Sequence, residues 1–250
     1  MRPGIIVRLI AFAVLLTFLI APDLFEPFFG MLTKNGQPAI YNQGSLLDLT
    51  LNHLAIVFAA TFAATLIAVS LAILVTRPFG VEFLPLSRSL ANIGQTFPPV
   101  AVLALAVPVL GFGTAPTLVA LFLYGLLPIF ENTLTGLVNL PGTVAEAAKG
   151  VGMTWAQRLF KIELPLALPV ILAGVRLSTV ISLATATIGS TVAARTLGEV
   201  IIAGLTSNNT AFVLQGGLIV GVLAVLIYDS LAALERWLMA RTGQAKRAAA

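Results

Sequence analysis

Glu131 and Arg176 are two charged side chains that lie well inside long apolar segments of this sequence. A charge near the middle of a bilayer costs about 2.5–3.5 kcal/mol on insertion scales, so such residues need a partner or a function. At 1.5 Å per residue, they lie about 12 and 15 Å from the ends of their segments that border residues 139–165. These similar depths predict a buried structural ion pair between them. A role in a solute pathway or its gate is the alternative.

Catalytic and metal-binding chemistry has little support in the sequence. His53 is the single histidine and the chain has no cysteine. Because no cluster of carboxylates accompanies it, we interpret His53 as structural and expect no metal site. No nucleophile–base pair and no paired carboxylates occur, so we expect a chain that is not an enzyme and carries no cofactor. The phosphate-binding pattern G-x-x-x-x-G-K-[ST] is also missing, so the chain cannot bind ATP by the usual route, and any ATP-driven function would need a separate ATPase subunit to bind ATP and Mg.

A third group of residues would bring polar atoms and broken backbone into the apolar segments. Two adjacent prolines cannot both sit inside an unbroken helix. The backbone groups they free are tolerated at membrane depth only against protein or a water-filled cavity. Hydrogen bonds between helices are the alternative explanation, which fits the single threonines better than the Gln95–Pro99 cluster. The candidates for a translocation pathway are Gln95, Thr96, Pro98, Pro99, Thr185 and Thr187.

The elements that position these residues follow from composition. The 250 residues are 58% hydrophobic and 10% charged, whereas a soluble domain carries about 25% charged residues. The apolar runs are continuous rather than alternating, which favours helices over a barrel. The runs predict an all-α integral membrane protein of about six transmembrane helices. They are Gly4–Ala21, Leu51–Val75, Leu90–Leu110, Pro116–Val138, Leu166–Val192 and Ala211–Leu234.

The positive charges predict how the chain is oriented. With the N-terminus in the cytoplasm, 11 of the 14 lysines and arginines lie on the cytoplasmic side, Lys34 and Arg195 lie outside, and Arg176 lies within a span. This bias obeys the positive-inside rule. Both termini and the 139–165 loop are then cytoplasmic, and the 22–50 loop is external. Because the basic excess follows topology, we expect no nucleic-acid partner.

The first apolar run could also be a secretory signal, since Arg2 and Arg8 precede or begin it. A cleaved signal needs small residues before the cleavage site. Phe18–Ala21 does not fit that pattern, so we expect the first span to be retained.

The 139–165 loop carries two patterns that start helices. Thr143–Glu146 and Thr154–Gln157 each fit the capping box S/T-x-x-E/Q. Gly150 and Gly152 between them can end the first helix in a left-handed conformation. An apolar stripe follows along the second helix at Trp155, Leu159 and Ile162. Each helix is too short to be stable alone, so the hairpin must pack on the spans, on a partner or on lipid headgroups.

The spacing in this loop resembles the EAA loop of ABC-importer permeases. That pattern is Glu-Ala-Ala, three residues, Gly, nine residues, Ile, one residue and Leu-Pro. It is matched by Glu146, Ala147, Ala148, Gly152, Ile162, Leu164 and Pro165. The resemblance implies that the hairpin is a coupling element that docks into a groove on a cytoplasmic ABC ATPase. Glu146 then has two roles that do not exclude each other, a helix cap and a salt bridge to the ATPase.

Further segments resemble the glycine betaine/choline, or osmoprotectant, branch of these permeases over about residues 50 to 235. They are Gly94–Pro99, Ala120–Pro128, Leu164–Arg176 and Thr185–Ile188. One segment departs from the family, which often has a glycine-rich turn after the fifth span. Here that turn is Ala194–Gly198, which bears on the shape of the external gate and on the substrate.

The resemblance implies an ABC type I importer permease-like fold and a subunit of an ATP-driven importer in the bacterial plasma (inner) membrane. Its implied partners are an ABC ATPase, a second permease subunit of the same or another kind, and an external or periplasmic substrate-binding protein. A permease for another small solute, such as an amino acid, is the first alternative. An ion-coupled secondary carrier is the second, disfavoured because no internal repeat is visible and membrane carboxylates are few.

The expected organisation has three parts. Residues 1–50 form the first span and the external loop, residues 51–235 form the core permease domain with the coupling loop, and residues 236–250 form a basic cytoplasmic tail.

Overall fold

The computed structural model describes residues 3–34 and 36–241, with side chains from residue 6 onward. Every regular element in these ranges is helical. The α-helices are α1 (Pro3–Ile20), α2 (Glu26–Gly30), α3 (Leu46–Val75), α4 (Leu84–Thr96), α5 (Pro99–Leu110), α6 (Thr114–Val138), α7 (Gly142–Gly150), α8 (Trp155–Arg158), α9 (Leu164–Ala186), α10 (Gly198–Thr206) and α11 (Thr210–Arg241). Short 3₁₀ segments cover Pro22–Phe25, Val81–Phe83 and Thr187–Val192, and a π-helical turn covers Leu159–Glu163.

Several helical stretches within the described ranges are long and apolar enough to cross a membrane. Four do so singly: Leu46–Val75, Thr114–Val138, Trp155–Val192 and Thr210–Arg241. Two pairs with a short break, Ile6–Ile20 with Pro22–Gly30 and Val81–Thr96 with Pro99–Leu110, bring the number to six if each pair is one span. The predicted all-α membrane fold with about six spans is confirmed.

The break in the third span is confirmed at the predicted prolines. Helix α4 ends at Thr96, and Phe97 and Pro98 have extended backbone with ψ of 141° and 142°. Residues before a proline avoid the helical region, because the proline ring clashes with the preceding residue. Pro99 then occupies the first turn of α5, where its missing N–H costs no hydrogen bond.

The chain divides into two units by contacts, each built from three separate stretches. Unit 1 contains Met1–Ala60, Pro98–Leu121 and Val180–Ile227, and unit 2 contains Thr61–Phe97, Phe122–Thr179 and Tyr228–Ala250. The predicted organisation into residues 1–50, 51–235 and 236–250 stays a prediction. Of the predicted basic tail, residues 242–250 lie outside the described residues.

The core of unit 1 joins α1 to α10 and α11. Leu15, Phe18 and Leu19 of α1 are buried in one cluster with Val200 and Phe212. Aromatic rings reinforce this cluster, because Phe18 meets the ring of Phe25 edge-on at 5.0 Å between centroids. The expected retention of the first span stays a prediction.

Two buried amides hold the segment before α3 against unit 1. Gln215 of α11 donates to the Ala39 carbonyl at 2.7 Å and accepts from the Tyr41 amide at 3.1 Å. Asn209 donates to the Pro38 carbonyl at 2.9 Å, and its side-chain oxygen accepts from the Ala211 amide at the start of α11.

Small residues bring the helices of unit 2 close together. Ala64, Ala68 and Ala72 form a fully buried stripe on α3 in the same cluster as Phe130 of α6. A Cβ at Gly94 of α4 would overlap the carbonyl of Leu123 on α6. Such close backbone approach is a typical way for membrane helices to gain packing contacts. It packs α4 directly against α6.

Candidate functional site

The first arm of the 139–165 hairpin is α7, and its start differs from the prediction. The helix begins at Gly142 with Pro141 as the N-cap, and no side chain caps it. The predicted capping box at Thr143 and Glu146 is therefore wrong. Pro141 takes an extended conformation that starts the helix two residues earlier, so Thr143 already lies inside the first turn. The Glu146 carboxylate is exposed on α7.

The turn between the two arms is formed by Gly152, as predicted. Its φ of 73° is left-handed, a conformation that costs glycine little. The Met153 amide donates to the Ala148 carbonyl at 3.1 Å, and the Gly152 amide donates to the Lys149 carbonyl at 2.9 Å. These bonds satisfy carbonyls that the end of α7 would otherwise leave open.

The second arm begins with the capping box that the sequence predicted. The Thr154 amide donates to the Gln157 side-chain oxygen at 3.0 Å. The Gln157 amide donates to the Thr154 hydroxyl at 3.3 Å. The two bonds satisfy the backbone amides of Thr154 and Gln157 at the helix start. Residues adjacent in sequence therefore determine where α8 begins.

The second arm is not separated from the fifth span. Residues Trp155–Val192 form one helical stretch, in which Pro165 is an interior residue rather than the start of a span. The π-helical turn at Leu159–Glu163 lies immediately before it. A wider turn accommodates a residue that cannot donate to the carbonyl four positions back and whose ring would clash with it. The second arm therefore extends α9 beyond the span as a single element.

The residues of the predicted coupling motif divide between the inside and the outside of the hairpin. Ala148 is almost fully buried, whereas Glu146 and Ala147 are exposed. Ile162 and Leu164 are half-buried, Gly152 forms the turn, and Pro165 is exposed. An open, mainly apolar groove of about 340 Å³ runs along the hairpin. It is lined by Thr143, Val144, Ala147, Ala148, Val151, Met153 and Ile162.

A buried ion cluster, which the sequence did not predict, fastens the hairpin to α3. Glu163 accepts from Arg77 at 2.6 Å and from Arg158 at 2.7 Å. The Arg77 guanidinium lies 5.7 Å from the centre of the Trp155 ring, and its Nε donates to the Ile73 carbonyl at the end of α3. The sequence shows only that Glu163 lies near Arg158 and Lys161 in the loop. Such a grouping of charges is too common to predict an ion cluster.

The charged residues inside the spans pair differently from the prediction. Glu131 accepts from Arg88 through both carboxylate oxygens, at 2.5 and 3.0 Å. Arg176 instead pairs with Glu235 at 2.8 Å and lies 4.7 Å from the centre of the Tyr228 ring. The predicted pair between Glu131 and Arg176 is therefore wrong. The sequence indicates only how deep each charge lies along its span. The partners depend also on which side of its helix each charge faces.

Where the third span is broken, hydrogen bonds to α6 satisfy backbone and side-chain groups at the end of α4. The Tyr124 hydroxyl donates to the Phe97 carbonyl, which no helix bond uses. The Gln95 side chain donates to the Tyr124 carbonyl at 2.9 Å. Thr96 bonds back to the Ile93 carbonyl at 2.8 Å. The Gln95 bond joins α4 to α6, whereas the Thr96 bond lies within α4, and both side chains remain exposed.

The other predicted pathway residues belong to unit 1. Thr187 donates to the Ala184 carbonyl at 2.7 Å. Thr185 and Thr187 are half-buried. Pro98 and Pro99 begin α5, as described above. That these residues line one translocation pathway together with Gln95 and Thr96 stays a prediction.

The turn after the fifth span is built by a threonine where the family often has glycines. Thr196 is fully buried, and its hydroxyl bonds to the Ala186 carbonyl at 3.0 Å and to the Ser190 hydroxyl at 2.7 Å. Its oxygen also accepts from the Gly198 amide at 3.2 Å. Ala193 takes a φ of 64°, so the left-handed turn is present without a glycine.

His53 is fully buried on α3, and its Nε2 lies 3.1 Å from the Leu183 carbonyl. This contact supports a structural role. Across the described residues, no group of three or more histidines and carboxylates could hold a metal ion.

A comparison with protein-family models identifies the chain. The family described as the inner membrane component of binding-protein-dependent transport systems matches residues 68–241. This match covers α4 to α11, including the whole hairpin and its ion cluster. The chain belongs to this family. The permease is therefore a multi-pass membrane subunit of a transport system and not itself the energy-converting enzyme.

Individual curated proteins that resemble this chain support the same assignment. The permease is 39% identical over 226 residues to the osmoprotectant import permease protein OsmY of Salmonella typhimurium. The aligned region covers 90% of this chain and 92% of that protein. It is 39% identical over 201 residues to the choline transport system permease protein OpuBB of Bacillus subtilis, covering 78% and 89% of the two chains.

A solved structure shows the same fold. The inward-facing MetNI methionine ABC transporter contains a chain that matches the permease with a TM-score of 0.69 at 21% identity. The match covers 77% of this chain and 95% of that one. The predicted likeness to ABC-importer permeases is confirmed for the fold.

Proposed function

We propose that this permease imports quaternary-ammonium osmoprotectants such as glycine betaine and choline, driven by an ABC ATPase that docks on the 139–165 hairpin. A binding protein delivers the solute on the outer side, and a second permease subunit, of the same or another kind, completes the translocation path. ATP and Mg bind to the ATPase and not to this chain. Both termini and the hairpin lie in the cytoplasm.

The hairpin carries the docking proposal. Its motif residues Glu146 and Ala147 are exposed and lie beside an open apolar groove. Its second arm is one helix with the fifth span, and Glu163 fastens it to Arg77 at the end of α3. A surface that moves with two spans can transmit force from an attached ATPase. A hairpin resting on lipid headgroups would not need this buried ion cluster.

The relatives support the substrate class. The proteins named as osmoprotectant and choline permeases cover most of this chain at 39% identity. The solved methionine transporter shares only the fold, at 21% identity, and does not favour an amino acid.

Transport in a reconstituted system tests this proposal. The permease would be co-expressed with its ATPase, binding protein and any second permease, and placed in proteoliposomes with ATP inside. We expect uptake of radiolabelled glycine betaine or choline that requires ATP and the binding protein, with methionine as the control solute. Uptake that persists without ATP would contradict the importer, and uptake of methionine alone would contradict the substrate class.

A further inference from the structure

Helix α4 (Leu84–Thr96) has three distinct faces. Its buried face is formed by small residues that pack within unit 2, namely Ser87, Ala91 and Gly94. One exposed stripe is apolar and contains Leu86, Leu90 and Ile93. The other exposed stripe is polar and contains Arg88, Asn92 and Gln95. At 3.6 residues per turn, the centres of the two exposed stripes lie about 160° apart around the helix.

Helix α6 adds polar groups on the side of the polar stripe. Glu131 pairs with Arg88 through both oxygens, and the two side chains are 35% and 50% exposed. Thr135, one turn further along α6, is also exposed. We call Arg88, Asn92, Gln95, Glu131 and Thr135 the polar wall. From Arg88 to Gln95 it extends about 10 Å along α4 at 1.5 Å per residue.

Lipid is a poor neighbour for this surface. Charges and amides in spans are costly against hydrocarbon and almost always face the bundle interior or a water-filled cavity. The apolar stripe of Leu86, Leu90 and Ile93 on the opposite flank has the composition that lipid requires. The two flanks of α4 therefore face different surroundings.

A second protein surface is also a poor match for the polar wall. Arg88 and Glu131 already satisfy each other, so neither needs a partner from another subunit. Membrane helices associate through small residues that allow close approach, and the small residues of α4 are used on its buried face. Long polar side chains with free hydrogen-bonding capacity fit water best. The polar wall also ends at the backbone break before Pro98, which is compatible with a water-filled cavity.

We propose that the polar wall lines the water-filled solute pathway and that the apolar stripe of α4 faces lipid. The inference rests on the proposed import function for the identity of the solute. The wall offers hydrogen bonds and two opposite charges that largely cancel. Such a surface lets a small solute with a quaternary ammonium pass without holding it tightly. Arg88, Asn92, Glu131 and Thr135 join the predicted pathway on this basis.

Cysteine accessibility tests the inference directly, because the chain has no natural cysteine. Single cysteines replace Asn92, Gln95 and Thr135 on the wall, and Leu90 and Ile93 on the apolar stripe serve as matched controls on the same helix. The assembled complex in membrane vesicles is treated with a charged, membrane-impermeant thiosulfonate, in the resting state and with ATP and vanadate. The reacting species is the thiolate, which is suppressed in apolar surroundings.

We expect Asn92→Cys or Gln95→Cys to react at least about tenfold faster than Leu90→Cys in one of the two states, since thiolate formation requires water. Equal rates on both stripes, or no reaction of any wall cysteine, would overturn the inference. So would disulfide crosslinking of wall cysteines between two permease subunits without reagent access. Labelling needs no transport, so failed betaine uptake with the expected labelling pattern would remove only the proposed substrate.

Discussion

Arg77 and Glu163 form a buried ion pair, with Nη2 2.6 Å from Oε2 and side chains only 5% and 13% exposed. They are 86 residues apart in the chain and join the end of α3 to the π-helical turn of the hairpin. Neither residue belongs to the loop motif that the sequence presents. This pair fastens a loop outside the spans to the end of α3, as the proposed coupling role requires.

Removing the carboxylate should destabilise the hairpin. Glu163→Gln leaves Arg77 buried without its counter-charge, a change that typically costs about 3–5 kcal/mol. We expect a lower melting temperature in detergent and more ATP hydrolysed per solute imported. Glu131→Gln is the control for the melting temperature alone, because its pair with Arg88 is half exposed and its loss should lower the melting temperature less. An unchanged melting temperature and coupling ratio for Glu163→Gln would contradict the anchoring role.

The two predicted capping boxes lead to opposite expectations for mutation. Thr154→Ala removes an observed cap and should cost about 1 kcal/mol. Thr143→Ala and Glu146→Gln should leave the melting temperature unchanged, because neither side chain caps α7. Thermal melting of the three variants in the same detergent distinguishes them. A lower melting temperature for Glu146→Gln would contradict the structure, in which no side chain caps α7, and would support the helix-cap role predicted for Glu146.

Some features were predictable from sequence because they depend on local chemistry. The Thr154 cap, the Gly152 turn and the break at Pro98 each follow from neighbouring residues. The same capping pattern failed at Thr143 because Pro141, just upstream, starts the helix earlier. Local patterns thus predict what a helix end can do, and the preceding residues decide which pattern is used.

The ion pairs could not be predicted because they depend on how each helix is rotated about its axis. Hydropathy places Glu131 and Arg176 at similar depth but does not say which neighbour each faces. The partners Arg88 and Glu235 lie on helices that extend beyond the predicted apolar runs. The continuity of α8, the π-turn and α9 was missed because Pro165 is usually a helix-start signal.

A double-mutant cycle tests the corrected pairing. Glu131→Gln and Arg88→Gln should be measurably non-additive in their effect on thermal stability, since the two side chains share two hydrogen bonds. Glu131→Gln and Arg176→Gln should be additive within error. Additivity in the first cycle together with coupling in the second would support the pairing predicted from sequence instead.

Glu199 on α10 gives a pH dependence with a definite sign. Burial raises the pKa of its carboxyl above the ordinary value of 4.5, and the nearby Arg195 only partly opposes this. The folded state then holds the proton more tightly than the unfolded state, so stability falls as pH rises from about 4.5 through the folded-state pKa. Melting temperatures in this range should decline less for Glu199→Gln than for the parent chain. Identical pH profiles would show that Glu199 does not contribute.

The claim that the hairpin binds the ATPase is tested most directly by measuring that binding. Ala147→Arg places a large charged side chain on the exposed side of α7, and Ala240→Arg makes the same change on an exposed alanine of α11. We expect the ATPase to co-purify with the parent permease and with Ala240→Arg, and to be lost from Ala147→Arg while that variant keeps its melting temperature. Undiminished ATPase binding by a folded Ala147→Arg permease would contradict the assignment of the hairpin as the docking element.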